Sequence, residues 1–335
     1  GLSIGLTSHG PVKVFADEYP KCNDYDQNSS LEIQRISGFK IFRKYRKAYA
    51  VNEYLKFNKV RAIFFDHWKS LEHLNTEYLN KNSNFCLIHS KEINHPVGSS
   101  LNIRMNKVFK KAKIIIANSN YTKELGESLG IDKKKIHVIH PGTNYPINIE
   151  KKDELKANDI FGNTFPKVIT VARLDKRKNH QNILMTIKNL IPTFPNIKYV
   201  CVGGGDERNN LENLCKELKI EKQVIFLQKT EESLKVALLN KADLFLMPSI
   251  VYKKSVEGFG ISFIEAGSYG IASIGGKDGG QADAIEDGKT GYLCDGNDLS
   301  SIYETIIRLF QNNKYKTLGL QAKEFSKKFK WENIV

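Results

Sequence analysis

The sequence predicts an α/β protein made of two Rossmann-like, doubly wound domains facing a cleft, and three observations support that prediction. The chain has 335 residues, more than one hydrophobic core comfortably accommodates. Short β-rich apolar runs alternate with amphipathic stretches along the whole length, the pattern of βα units on a mainly parallel sheet. A turn-rich segment, Pro141-Gly142-Thr143-Asn144-Tyr145-Pro146, and the polar stretch 148–159 behind it split the runs into two sets and read as a linker.

In the first set the candidate strands are 12–16, 60–65, 85–89, 113–118 and 136–140. In the second they are 167–172, 197–202, 223–227, 243–247 and 271–275. The expected domains are 1–147 and 148–318, with a C-terminal helical segment, 319–335, able to cross back to the first. Residues 325–335 read as part of a basic amphipathic helix. A doubly wound domain normally opens with a strand and a glycine-containing turn, yet here the first strand signal comes only at Val12. In the sheet order 3-2-1-4-5-6 the first strand is central, and without it two ladders stand unpaired. The first domain is therefore expected to lack its first strand, as a truncated sequence would.

Composition narrows the class. The 41% hydrophobic content supports two real cores, and no apolar run approaches the roughly 20 residues of a membrane span. No basic-then-apolar export signal opens the chain, so a cytoplasmic protein is expected. The five cysteines, Cys22, Cys86, Cys201, Cys215 and Cys294, are odd in number and scattered, which fits reduced buried thiols rather than a disulfide frame or zinc site. A net charge of +14 attracts anions. The basic residues are spread along the chain without an aromatic–basic RNA motif or a helix-turn-helix signature, so a nucleic acid is not the expected partner.

The residues that carry chemistry lie in the second half. The strand ending at Ala172 runs into Arg173-Leu174-Asp175-Lys176-Arg177-Lys178-Asn179-His180, which places cations at a carboxyl end, where open α/β sheets bind ligands. Arg173 offers a planar fork and Lys178 a compact charge, both suited to a diphosphate. On its own the loop fits a solvated basic turn equally well. Further on, Glu257-Gly258-Phe259-Gly260-Ile261-Ser262-Phe263-Ile264-Glu265 reads as loop, glycine turn and helix start, whose opening amides suit an anion. Glu265 sits among apolar neighbours, where an unpaired acid is costly. Glu257 in the loop and Glu265 two turns into the helix could grip different parts of one ligand. The run 275–283 could add backbone donors. The run 202–206 lacks the spacing of a dinucleotide fingerprint.

In this order the segments resemble the retaining GT-B glycosyltransferases of the family-four type, glycosyl transferases group 1, over nearly the whole chain. Val171-Ala172-Arg173-Leu174-Asp175 through Lys178-Asn179-His180 is similar to that family's basic strand-end motif. Glu257 and Glu265 resemble its two glutamates separated by seven residues, and Ile285-Glu286-Asp287-Gly288-Lys289-Thr290-Gly291-Tyr292-Leu293 its closing turn. In the first half, Ile116-Ala117-Asn118-Ser119-Asn120-Tyr121-Thr122 and Val138-Ile139-His140-Pro141-Gly142 are similar to its strand-to-helix segment and its run into the linker. Ile88-His89-Ser90-Lys91-Glu92-Ile93 resembles its histidine-bearing loop, with Lys91 where some members carry a second histidine.

The resemblance implies a nucleotide-diphosphate sugar as donor and no required cofactor. Arg173 and Lys178 would hold the diphosphate and Glu265 the ribose. Glu257 with the amides from Gly258 through Phe259 and Gly260 to Ile261 would hold sugar and phosphates, Gln228 and Lys229 would border the base, and His89 would face the reaction centre. It implies transfer with retention to a glycan, a lipid-linked or another hydroxyl acceptor, in surface polysaccharide or glycolipid synthesis. No divalent metal is implied: no Asp-x-Asp motif is expected in the chain, and arginine with lysine can take a metal's place. Arg173→Ala or Lys178→Ala is expected to slow turnover and leave the fold intact. Two alternatives keep the fold: a catalytically impaired homologue and a nucleotide-sugar 2-epimerase. Lys40, Arg43, Lys44, Arg46 and Lys47, with Phe42, Tyr45 and Tyr49, would suit a helix touching anionic lipid at the inner face of the membrane, and a solvated helix face explains them as well.

Overall fold

The structure, a computed structural model, describes residues 1–20, 22–228 and 230–335. They form two compact units, Gly1–Gly142 with Trp331–Val335, and Thr143–Lys330.

In the first unit β1 (Lys13–Asp17) pairs in parallel with β2 (Glu32–Ile36) as a ladder of its own. A second parallel sheet has the order β3 (Ala62–Phe65), β4 (Ser83–Ile88), β5 (Ile114–Ala117) and β6 (Ile136–Val138). Among the described residues no strand pairs with the remaining edges of β1 and β3, so the ladder is divided where the order 3-2-1-4-5-6 has its first strand. The core beside the larger sheet is built from Phe65, Cys86, Ile88 and Ile115, with Trp68, Leu71, Met105 and Phe109 from the covering helices. Ser99 and Ser119 cap two of those helices, each accepting from the amide three residues on, Asn102 N at 3.2 Å and Thr122 N at 3.1 Å. The helix Lys40–Phe57 buries only Ala48 and Leu55, and Phe39, Ile41, Phe42 and Tyr49 remain exposed.

The second unit holds one continuous parallel sheet. Its strands are β7 (Lys167–Val171), β8 (Lys198–Val202), β9 (Val224–Leu227), β10 (Leu244–Met247), β11 (Ser273–Gly276) and β12 (Gly291–Cys294), in the order β12-β11-β10-β7-β8-β9. Helices cover both faces, which is why these strands read as unbroken apolar runs. Side chains alternate as the pleat requires. Val168, Tyr199, Leu244 and Leu246 enter one core, and Ile169, Val200, Phe245 and Met247 the other. Strand order reverses between β7 and β10, so their carboxyl ends open a crevice.

Several sequence expectations need correction. β2 and β12 were not expected. β2 alternates polar and apolar residues in a two-stranded ladder, and β12 lies within the expected closing turn. The stretch assigned to a linker contains the helix Lys151–Phe161, whose charged first turn hides a buried face of Asp153, Ala157 and Phe161. Residues 325–335 do not form one helix: Lys314–Ser326 ends in a single 3-10 turn, Lys330 is extended, and Trp331–Ile334 is separate. All five cysteines are free and buried, and burial pushes the Cys201 and Cys294 thiols up to about 12. No helix of the described residues is long and apolar enough to cross a membrane.

Candidate functional site

The site begins at the carboxyl end of β7. Ala172 N donates to Val202 O at 3.0 Å and Leu174 N to Gly204 O at 3.0 Å, which binds the cation loop to the exit of β8. Gly203 makes this crossing possible: its φ is +143°, and a Cβ there would lie 1.9 Å from Ala172 O. Asp175 then caps the turn Lys176–Lys178, accepting from Lys178 N at 3.2 Å. Asn179, at φ +61°, donates to Pro248 O at 3.1 Å and Gly296 O at 2.7 Å. His180 is buried, with Nδ1 3.2 Å from the Tyr199 hydroxyl and Nε2 3.3 Å from Arg173 O. Burial lowers its pKa to about 4, so this ring is a neutral structural link beneath the loop.

The two cations of the expected diphosphate site differ. Arg173 is exposed, and its guanidinium makes no hydrogen bond or ion pair among the described residues. Lys178 is buried, its ammonium engaged with Glu257 Oε2 and lying 3.2 Å from Met247 Sδ. Its replacement by alanine would therefore not leave the fold untouched, contrary to the sequence expectation. Burial lowers the Lys178 pKa, and the neighbouring carboxylate opposes that shift.

Glu257 Oε2 also receives Arg177 Nη1 at 2.6 Å, a contact the sequence did not single out. Burial alone would raise the Glu257 pKa, but Lys178 and Arg177 overcome it and hold the carboxyl below its ordinary range. Both cations meet one oxygen, so Oε1 keeps its lone pairs. The backbone carbonyl of Glu257 accepts from Gly280 N at 2.8 Å, which brings the glycine loop after β11 to the same point. Gln281, fully buried, fixes that loop through Gly276 N at 2.8 Å and Ser249 O at 2.9 Å.

Gly258 and Phe259 lead to Gly260, whose φ of +93° turns the chain into the helix Ile261–Ser268. No side chain caps that helix, and a Cβ at Gly260 would lie 3.7 Å from Glu257 Cγ, so the positive end of the helix dipole starts beside Glu257. Glu265 lies just over one turn in, not two. Burial raises its pKa, Lys235 pulls it back, and Glu232 adds to the rise. Gln228 is exposed at the end of β9 beside Gly204. Lys229 lies outside the described residues.

In the second unit the structure thus brings Arg177, Lys178 and Glu257 into contact at the ends of β7 and β10, with Glu265 on the helix that follows. His89 belongs to the other unit, exposed at the end of β4 with its amide donating to Glu92 Oε1 at 2.5 Å. Ser90 behind it has φ +85°, a conformation uncommon outside glycine. Contrary to the sequence reading, one Asp-x-Asp spacing does occur, Asp24-Tyr25-Asp26, where Asp26 is engaged by both Arg35 Nε, at 2.8 Å, and Arg35 Nη2, at 2.5 Å. Among the described residues no group of three or more histidine, cysteine or acidic side chains is arranged for a metal.

Residues 151–325 match the family model for glycosyl transferases group 1, and residues 11–145 that for glycosyltransferase family 4. The chain belongs to the glycosyl transferases group 1. This group 1 family member is 30% identical over 139 residues to a GDP-mannose-dependent alpha-(1-6)-phosphatidylinositol monomannoside mannosyltransferase of Mycolicibacterium smegmatis, a match covering 41% of this chain and 36% of the relative. With an N-acetyl-alpha-D-glucosaminyl L-malate synthase of Bacillus anthracis it shares 31% over 170 residues, 50% of this chain and 42% of the relative. These matched stretches thus span less than half of either curated relative. An Anabaena HepE structure in complex with UDP superposes with TM-score 0.79 at 17% identity, covering 96% of both chains. A sucrose-phosphate synthase of Thermosynechococcus elongatus gives 0.80 at 20% identity, covering 99% of this chain and 88% of that one. These likenesses establish the GT-B fold of two Rossmann-like α/β domains.

Proposed function

We propose that the protein is a hexosyltransferase that moves a sugar from a nucleoside-diphosphate sugar to a hydroxyl acceptor, retaining the anomeric configuration. The donor would occupy the second domain, 148–318, and the acceptor side would be the first, 1–147, with residues 319–335 returning to it. The observation that carries this reading is the convergence of Lys178 and Arg177 on Glu257 beside an uncapped helix start, with Arg173 unpaired on the same loop.

Breaking the bond between the anomeric carbon and the diphosphate leaves an oxocarbenium-like sugar and one more negative charge on the leaving group. Arg173, without a partner among the described residues, meets that charge directly, and the backbone amides from Gly258 to Ile261 add fixed donors. Cations already in place need no reorganisation as charge develops, usually the largest catalytic contribution. Lys178 contributes after sharing its charge with Glu257, whose remaining oxygen can accept a sugar hydroxyl. Glu265 would take the ribose diol and Gln228 would border the base. His89 would face the sugar from the acceptor side. With these cations the reading calls for no divalent metal, so turnover should survive EDTA.

The GDP-mannose-dependent relative and the UDP-bound neighbour support UDP or GDP in the donor, and the phosphatidylinositol monomannoside relative supports a lipid-linked acceptor; a glycan acceptor, in surface polysaccharide or glycolipid synthesis, fits the same reading. The helix Lys40–Phe57 suits a cytoplasmic enzyme resting on anionic lipid: exposed Phe39, Ile41, Phe42 and Tyr49 stand among Lys40 and Lys44. Arg43, Arg46 and Lys47 contribute less, since they hold Gly38 O, Phe39 O and Asp17. Flotation with anionic vesicles tests this, and protein left entirely in the soluble fraction would remove it.

Calorimetry against UDP, GDP and ADP, followed by their sugars with and without acceptors, tests the main reading. Slow donor hydrolysis without acceptor and product formation with one are expected. Conversion of the donor sugar to its 2-epimer, or no binding of any nucleotide, would overturn it.

A further inference from the structure

Glu265 is a largely buried acid with a charge beside it and no hydrogen bond to its carboxylate among the described residues. Lys235 Nζ stands 3.9 Å from Oε2, beyond hydrogen-bond length, and each side chain is only 17% exposed. Both carboxylate oxygens therefore keep their lone pairs while a positive charge remains near. Lys235 is itself held from two further sides. Its ammonium lies 2.8 Å from Glu232 Oε1 and 5.0 Å from the centroid of the Tyr145 ring. The Tyr145 hydroxyl donates to the same Glu232 oxygen, and its ring meets Tyr269 edge-on at 6.1 Å. Tyr269 is fixed in turn by Ile147, whose amide and carbonyl lie 3.0 and 3.2 Å from its hydroxyl.

We infer that Lys235 is a positioning residue of the nucleoside site, a cation anchored by Glu232 and Tyr145 that keeps Glu265 an ionised acceptor for two hydroxyls. The inference rests on the proposed role of Glu265 toward the ribose. A carboxylate accepts from both hydroxyls of a diol only when ionised, since a protonated acid turns one oxygen into a donor. The groups facing Glu265 are Lys235 and Glu232 from the helix Glu232–Lys241, with Tyr269 from its own helix end. Burial and Glu232 both favour the protonated acid, and Lys235 opposes them. The arrangement is specific: a lysine hydrogen-bonded directly to Glu265 would occupy the acceptor, and one farther away would not hold its charge.

The test is calorimetric titration with whichever of UDP, GDP or ADP binds the wild type most tightly, from about pH 5.5 to 8.5, a range toward which a buried carboxyl moves when its compensating charge is removed. Wild type, Lys235→Met, Lys235→Arg and Glu265→Gln are compared. The wild type should bind almost evenly across the range. Lys235→Met should lose about threefold at the acid end of the range, the effect of a one-unit rise in the Glu265 pKa read part-way through its titration, and recover toward pH 8.5. Lys235→Arg should follow the wild type, and Glu265→Gln should bind weakly at every pH. A Lys235→Met profile parallel to wild type, with Glu265→Gln weakened, would overturn the inference and leave the ribose reading standing. Wild-type affinity in Glu265→Gln would overturn the ribose reading first, and the role of Lys235 with it. If Lys235→Met does not fold, Lys235→Gln replaces it. Failure of both to give a cooperative melt while Lys235→Arg melts normally would assign Lys235 to the fold instead.

Discussion

Glu257 and Glu265 stand eight residues apart, both largely buried, and their surroundings treat them oppositely. Two cations touch Glu257, so its carboxylate is favoured despite burial. Glu265 has one cation outside hydrogen-bond reach and an acid next to that cation, so burial prevails and its pKa rises. The consequences for stability have opposite signs. A carboxyl with a depressed folded pKa stabilises the protein above its unfolded pKa, and that contribution is lost as pH falls through the folded value. One with a raised folded pKa destabilises at high pH, and the penalty disappears as pH falls. The comparison separates an acid used as a structural counter-charge from an acid kept open for a ligand.

The largest expected effect comes from breaking the first environment. Glu257→Ala leaves Lys178 buried without its carboxylate, and loss of one partner from a buried pair costs about 3–5 kcal/mol. Urea denaturation should show that loss. The double variant Glu257→Gln, Lys178→Met should recover part of it, since the buried ammonium is then gone and Arg177 alone has lost its carboxylate. Equal stability of the single and double variants would mean that the pair is solvated. Next is Arg173→Ala, which touches no partner among the described residues and should leave the melt unchanged. Its turnover should fall by about 2–4 kcal/mol of barrier, the usual effect of removing one donor aimed at developing charge. Normal turnover in that variant would take Arg173 out of the chemistry.

The contrast between the two acids also shows what sequence could and could not tell. The second domain was legible because its strands are buried on both faces: runs such as Val168-Ile169-Thr170-Val171 and Leu244-Phe245-Leu246-Met247 need no partner to be recognised. The division of the first sheet was also foreseen, from the late first strand signal and the central place of strand 1. β2 was not, because Glu32, Gln34 and Arg35 interrupt its apolar pattern and its strand character depends on β1 beside it. At the site, residue identities were legible while their pairing was not. Lys178 reads as a solvated cation until the chain brings in Glu257 from 79 residues away. Arg177 is one basic residue in a basic run, and only its contact with Glu257 distinguishes it. Lys235 lies in a helix with no motif around it, and its relation to Glu265 exists only once two helices pack. Motifs report which groups are present, whereas protonation depends on neighbours distant in sequence.

The smallest effect is the sharpest test of the second environment. Glu265→Met removes a carboxylate that makes no hydrogen bond among the described residues and fills its volume with an apolar chain. Well-packed apolar replacement of a poorly compensated buried charge is often stabilising. A gain of about 1 kcal/mol is expected at pH 8, the low end of what apolar replacement of a buried ionic group gives. Because the wild-type penalty exists only while Glu265 is ionised, the gain should shrink as pH falls through the raised pKa, and near pH 4 the two proteins should unfold alike. The same variant should bind no nucleotide that depends on the ribose contact. A Glu265→Met protein less stable than wild type at pH 8 would mean that the acid is satisfied within the fold. Glu265 would then resemble Glu257, and the distinction between counter-charge and open acceptor would no longer separate the two.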